Sequence, residues 1–160
     1  MTESGGRTYS FSELSELENL DVDAMRALFK IELSGEDFYN ALAERLANKE
    51  VAVLLKRNGR EEAGHARRLA RAIGLKLGQD FHPTPDMLER SEIHLPDSMG
   101  ASYLPQLVKL ELDGEPGYRK WAENEPDPEV ARLLLLNGRE EALHAQRVTE
   151  AMVILEGPTP

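Results

Sequence analysis

The chain has 160 residues, 41% apolar and 30% charged, with a formal net charge of −10 and no cysteine. That length and mixture suit one soluble domain with a full hydrophobic core. The missing thiols exclude disulfides, thiolate zinc sites, iron–sulfur clusters and rubredoxin-type iron within it, and the acidic balance argues against nucleic acid, whose binding rests on neutralising phosphates.

Residues 1–10 are polar, include Gly5 and Gly6, and read as a loosely attached segment. They lack the apolar centre of a signal peptide and no run in the chain is long enough to span a bilayer, which implies the cytoplasm and no membrane partner. Phe11, Leu14, Leu17 and Leu20 recur every third residue and predict a short helix, completing an N-terminal segment over 1–20. Asp21 or Asp23 can cap a longer helix over 23–47. Its stripe contains Leu28, Phe29, Glu32, Gly35, Glu36 and Tyr39, so two carboxylates sit in an apolar face. After a tight connection at 48–50, a second helix is predicted over 51–73, ending at Gly74. The two form an antiparallel hairpin.

Over 75–102 the periodicity breaks at Gly78, Pro83, Pro85, Pro96 and Gly100, which predicts a long crossover with one helical turn at 85–90. His82 and His94 lie there without a ligand spacing. A third helix is predicted over 103–123, a rigid turn at 125–128, a fourth helix over 129–155, and a tail at 157–160. The fold class is therefore all-α: a four-helix bundle over 21–156, built from hairpins at 23–74 and 103–155 joined by the crossover.

An offset of 79 residues superimposes the two hairpins. Between 30–74 and 109–153, 23 of 45 aligned pairs are identical. Residues 58–65 (Asn-Gly-Arg-Glu-Glu-Ala-Gly-His) recur as 137–144 (Asn-Gly-Arg-Glu-Glu-Ala-Leu-His), and Glu32, Gly35, Glu36 and Tyr39 recur as Glu111, Gly114, Glu115 and Tyr118. Helical periodicity explains leucine matching leucine, but not Glu, Gly, Tyr and His recurring together on an inner face. Two copies of one hairpin, related by a pseudo-two-fold axis, account for both.

Each octet holds a Glu-x-x-His pair, Glu62 with His65 and Glu141 with His144, and residues three apart share a helix face at roughly 4.5 Å along the axis. Adding the lone glutamates gives the candidate metal ligands Glu32, Glu62, His65, Glu111, Glu141 and His144, the set that carboxylate two-metal bundles use. Four buried carboxylates need compensation, which two divalent cations supply. Oxygen donors with one imidazole per ion suit iron or manganese, with zinc as a redox-silent competitor. The competing reading places the six on solvated faces as i,i+3 pairs.

Tyr39 and Tyr118 follow Glu32 and Glu111 by two turns, only about 20° off in azimuth. A buried phenol needs a partner, and a ligand carboxylate of the other hairpin is available; electron donation is a second role for them. Glu61 and Glu140 can accept the free ring N–H of the histidines across the pair, or face solvent. Glu36 and Glu115 point about 40° away from the lone ligands and are candidates for extra ligands. Gly35, Gly59, Gly114 and Gly138 leave room for close helix crossing or for a small ligand at the metals. Arg60, Arg68, Arg139 and Arg147 recur and are expected to pair with carboxylates.

With these residues in place, the chain resembles the ferritin-like di-iron proteins, in the neighbourhood of rubrerythrins and bacterioferritins, and the octets are similar to those of two-helix encapsulated ferritins. The resemblance implies a di-iron oxidoreductase, a ferroxidase or a peroxide reductase, using two iron ions and O2 or H2O2. In it the glutamates Glu32, Glu62, Glu111 and Glu141 bridge and shift, His65 and His144 fix one iron each, and Tyr39 and Tyr118 assist. Rubrerythrins proper add a cysteine-bound domain, absent here, so a peroxidase would need an external electron donor. Many also carry a further Glu three residues after the third-helix ligand, where this chain has Gly114. The tail shows no encapsulin-docking peptide. A homodimer or larger homo-oligomer is expected. An iron-storage protein, which needs a hollow oligomer, and a non-catalytic metal-stabilised bundle are the alternatives.

Overall fold

In the computed structural model, which describes residues 8–158, every regular element is helical. The expected loose segment falls mostly on residues 1–7, outside the described residues. Ser10, its last residue, is fixed: it caps α1 (Phe11–Ser15) in a capping box with Glu13. This helix is shorter than the leucine spacing predicts. Leu14 and Leu20 are buried, yet only Leu14 lies in the helix and Leu20 packs from the connection to α2.

The four long helices are α2 (Val22–Leu46), α3 (Lys49–Leu77), α5 (Leu104–Glu123) and α6 (Pro128–Glu156), with a single turn, α4 (Pro85–Leu88), in the crossover. Each hairpin is punctuated by side-chain caps. Asp21 accepts from the Ala24 amide, Asn48 from those of Glu50 and Val51, and Asp127 from those of Glu129 and Val130. Ala47, left-handed at φ 50°, turns the chain from α2 into α3. Pro128 opens α6 at a position where an amide donor is not needed. Pro116 lies inside α5, which the helical periodicity does not reveal; it is exposed, so the carbonyl it cannot serve faces solvent.

The predicted end of α3 at Gly74 is corrected. The helix runs one turn further and stops at Gly78, whose φ of 67° is the left-handed cap. Gly74 is bare for a different reason. A Cβ there would lie 3.0 Å from the Gln79 carbonyl oxygen, because the chain folds back over the helix end. The crossover then runs along α2. Arg45 donates to the carbonyls of Leu95, Pro96 and Met99, and Arg90 pairs with Glu36 and Asp37.

Contacts pair α2 with α3, α5 with α6, and α3 with α6, while α2 and α5 make no extensive contact. Gly59 and Gly138 mark the crossings within the hairpins, where an added Cβ would meet Tyr39 Cβ at 3.3 Å and Tyr118 Cβ at 3.0 Å. Two apolar clusters result. One gathers Leu14, Leu28, Ile73, Trp121 and Leu134 at one end, and the other Leu42, Leu55, Leu104 and Val148 at the opposite end. Between them lies a polar layer.

The cap glycine of α3 and a glycine inside the helix predict opposite outcomes. Gly78→Ala, forced into the left-handed region, should destabilise the chain by about 1 kcal/mol. At Gly64 the nearest neighbour of an added Cβ is a flexible Arg67 tip at 3.6 Å, so Gly64→Ala should stabilise by up to about 1 kcal/mol. Urea unfolding of both variants checks the pair, and equal signs would contradict these assignments.

Candidate metal centre

The polar layer is made by the six residues singled out in the sequence. Glu32 is 5% exposed, Glu62 6%, Glu111 7% and Glu141 7%, and both His65 and His144 are fully buried. They come from all four long helices of the one chain. The solvated-face reading fails for all six.

Donor atoms fall into two groups, each with every member within 4.8 Å of the others: Glu32, Glu62, His65 and Glu141, then Glu62, Glu111, Glu141 and His144. Both histidines present Nδ1 to the centre. His65 Nδ1 lies 3.4 Å from an oxygen of each of Glu32, Glu62 and Glu141. His144 Nδ1 lies 3.3 Å from Glu62, 3.5 Å from Glu111 and 3.7 Å from Glu141. Glu62 turns Oε2 to one histidine and Oε1 to the other, and Glu141 does the same with Oε1 and Oε2. An ion about 2.1 Å from each donor holds tetrahedral donors roughly 3.4 Å apart, so the spacing fits. The imidazoles stack 5.3 Å apart at 15°. Nδ1 of His144 is buried without a hydrogen-bond partner, a position that costs about 1–3 kcal/mol unless something occupies it. The residues present fit two cations that share Glu62 and Glu141.

Around this set the hairpins interlock. Tyr39 donates to Glu111 Oε1 and Tyr118 to Glu32 Oε1, leaving Oε2 of each glutamate toward its histidine. His65 Nε2 meets Glu140 at 3.0 Å and His144 Nε2 meets Glu61 at 3.2 Å, so the histidine partners lie across the pair. Arg68 grips Glu140, and Arg147 grips Glu61. Asn58 and Asn137 are functional residues that sequence reasoning did not single out. Each takes an arginine N–H of the other hairpin on its side-chain oxygen and donates to the backbone carbonyl of the opposite histidine. Their recurrence in the octets is the signal that could have found them.

Glu36 and Glu115 stay outside the centre, paired with Arg90 and Arg119. His82 and His94 are exposed in the crossover, and Arg60 and Arg139 are exposed on α3 and α6. At Gly35 and Gly114 a Cβ would lie 3.0–3.1 Å from Cγ of Glu62 or Glu141. Their bareness makes room for the two shared carboxylates.

Burial and the neighbouring Glu62 raise Glu32 to about 7, and the same two causes carry Glu141 well above the carboxylate range. For Glu62 burial is outweighed by the facing imidazoles of His144 and His65, which hold its carboxyl well below that range. Burial opposes charge on the imidazoles, yet Glu140 and Glu141 raise His65 well above 6.5, and Glu111 and Glu62 raise His144 to about 9. Burial pushes both tyrosines well above their usual range, with the facing carboxylates adding to it. The phenols therefore stay protonated and donating.

Fold and site together place the chain in the ferritin-like di-iron superfamily, among carboxylate bundles with a di-metal centre. Residues 23–97, the first hairpin and most of the crossover, match the family model described as Rubrerythrin. The second hairpin, with Glu111, Glu141 and His144, lies beyond that match and joins the centre through the internal repeat. No curated protein and no solved structure matches the chain, and the likeness to encapsulated ferritins finds no support there. Among the described residues no helix is long and apolar enough to cross a membrane.

With metal absent, the folded chain holds protons on both histidines, Glu32 and Glu141 that the unfolded chain has lost. Its stability should therefore fall as pH rises from about 4.5 through about 9. Glu62 and Glu140, held low, lose their contribution only on further acidification. Cations displace those protons, so their stabilisation should grow over the same window. Melting temperatures of metal-free and metal-loaded protein should diverge between about pH 5 and about pH 8.5; a constant gap would contradict the linkage. Glu140→Gln should weaken one of the two metal-binding steps by about 10- to 100-fold in a calorimetric titration, and two unchanged steps would remove the carboxylate's role in orienting His65.

Proposed function

We propose that the centre binds two iron ions and reacts them with O2 or H2O2, as a ferroxidase or a peroxide-reducing oxidoreductase. The observation that carries this is the pair of glutamates, Glu62 and Glu141, that each face both histidines. A structural ion needs a closed shell of its own, whereas two ions sharing carboxylates act on one small molecule together. Hard oxygen donors with a single imidazole per ion favour iron or manganese over thiophilic metals.

When bound, the iron ions supply the electrons that reduce the oxidant. The chain's residues hold and orient. His65 and His144 are fixed as Nδ1 donors by Glu140 and Glu61. Glu32 and Glu111 offer one oxygen each, because Tyr118 and Tyr39 occupy the other. Those phenols keep a proton beside the terminal carboxylates, available where charge changes during turnover. For repeated peroxide reduction, a donor outside this cysteine-free chain would return electrons to the iron.

Anaerobic loading with Fe²⁺, followed by rapid mixing with O2 or with H2O2, tests the reading and separates its branches. Two iron per chain should be oxidised faster than Fe²⁺ free in the same buffer, by one oxidant in preference to the other. Glu62→Ala, which removes a carboxylate facing both histidines, should abolish that rapid phase, whereas Tyr39→Phe should slow it and leave the stoichiometry at two. Oxidation no faster than in free solution would overturn the proposal.

A further inference from the structure

The centre is closed on one side and open on the other. Toward α3 and α6 it is sealed by the crossed Asn58, Glu61, Arg147 and Asn137, Glu140, Arg68 sets. Between α2 and α5, which make no extensive contact, a cleft of about 580 Å³ runs inward. Its walls include Ile31 and Phe38 from α2 and Leu107, Leu110, Gly117 and Trp121 from α5, and its floor includes Glu62 and Glu141. Ile93 and Tyr103 of the crossover border it, as do Phe11 and Ser15 of α1. These bordering segments are anchored, since Trp121 Nε1 donates to the Leu17 carbonyl at 3.0 Å and Phe38 packs edge-on to Tyr103 at 6.4 Å.

The two halves also differ along the cleft. At the metal-facing positions the halves agree, but Phe38 corresponds to Gly117, and Leu42 to Trp121. A Cβ at Gly117 would meet only the far edge of the Trp121 ring, at 3.9 Å. Unlike Gly35, Gly59, Gly114 and Gly138, this glycine makes room for no part of the protein. It leaves the α5 wall open at the level where α2 presents an aromatic ring.

We propose that this cleft is a binding site for one uncharged, apolar small molecule of one- or two-ring size, seated with one end against the shared carboxylates. Its volume lies in the range of small-molecule sites, about 300–1,000 Å³, and far exceeds what O2 or H2O2 requires. Its walls are mainly apolar and aromatic, the glutamates of the centre lie at its floor, and Ser34 and Asp113 also line it. Among the described residues no lysine or arginine lines it, so an anion finds no partner, and an ammonium group would lose its water against the mainly apolar walls. A second copy of the chain is a poor occupant, because a convex helix face cannot reach a floor supplied by α3 and α6 behind the walls. Binding here does not depend on which metal the centre holds.

Trp121 is the sole tryptophan of the chain and lines the cleft, so its fluorescence reports occupancy. Bromobenzene, a heavy-atom quencher, should quench the full-length protein saturably, at one molecule per chain and at concentrations that leave free indole unquenched. Gly117→Ala should weaken that binding several-fold and Gly117→Leu should remove the saturable phase. Both should melt no lower than the parent, since they replace an unstrained helical glycine. Linear quenching that is the same in parent and Gly117→Leu would overturn the proposal. So would quenching that appears only on dilution to monomers, which would make a second copy the occupant.

Discussion

Four carboxylates and two imidazoles share one layer between two apolar clusters, and the rest of the structure depends on making that arrangement tolerable. Burying unpaired charge costs several kcal/mol per ion, more than a marginally stable domain can absorb. Without cations the layer is neutralised by protons held on Glu32, Glu141 and both histidines; with cations those protons leave. Either way the layer holds compensated charge, and the apolar clusters on both sides can close over it. The price of a site that works in water is thus a fold whose stability tracks pH and metal together.

The second constraint is that neither hairpin is complete alone. Each histidine is oriented by a glutamate of the other hairpin, each tyrosine holds the other hairpin's lone glutamate, and each asparagine reaches the other hairpin's histidine carbonyl. Contacts that cross the pseudo-two-fold axis tie the docking of the halves to the geometry of the donors. Gly35 and Gly114 let the shared carboxylates lie flat between helices, and Gly59 and Gly138 let those helices approach. The repeat is retained where donors and their supports meet, and it lapses at Phe38 and Gly117, where the cleft opens.

Much of this was legible in the residues. The doubled octet, the lone glutamates one helix earlier and the two-turn spacing of the tyrosines pointed to a bundle and to six convergent side chains, because helical azimuth follows from sequence distance. For Glu61 and Glu140 the residues alone left the opposite histidines and solvent open, and the structure pairs them with the histidines. What could not be read depended on three-dimensional approach. Gly74 looks like a helix end and is instead a place where returning chain passes over, while Gly78 holds the left-handed cap. The leucine spacing at Phe11 to Leu20 outran α1, since burial of Leu20 does not require helix. Asn58 and Asn137 have short side chains whose reach is set by how closely α3 and α6 pack. The separation of α2 from α5 leaves no periodic trace at all.

The central claim is that the two Glu-x-x-His motifs form one centre with two ions that share carboxylates, rather than two independent sites. Anomalous diffraction from crystals of the metal-loaded protein, collected at the absorption edge of the bound metal, tests it most directly. The account predicts two peaks per chain about 3.5–4 Å apart, each beside one histidine Nδ1 and both beside Glu62 and Glu141. A single peak, or two peaks too far apart to share a carboxylate, would contradict it.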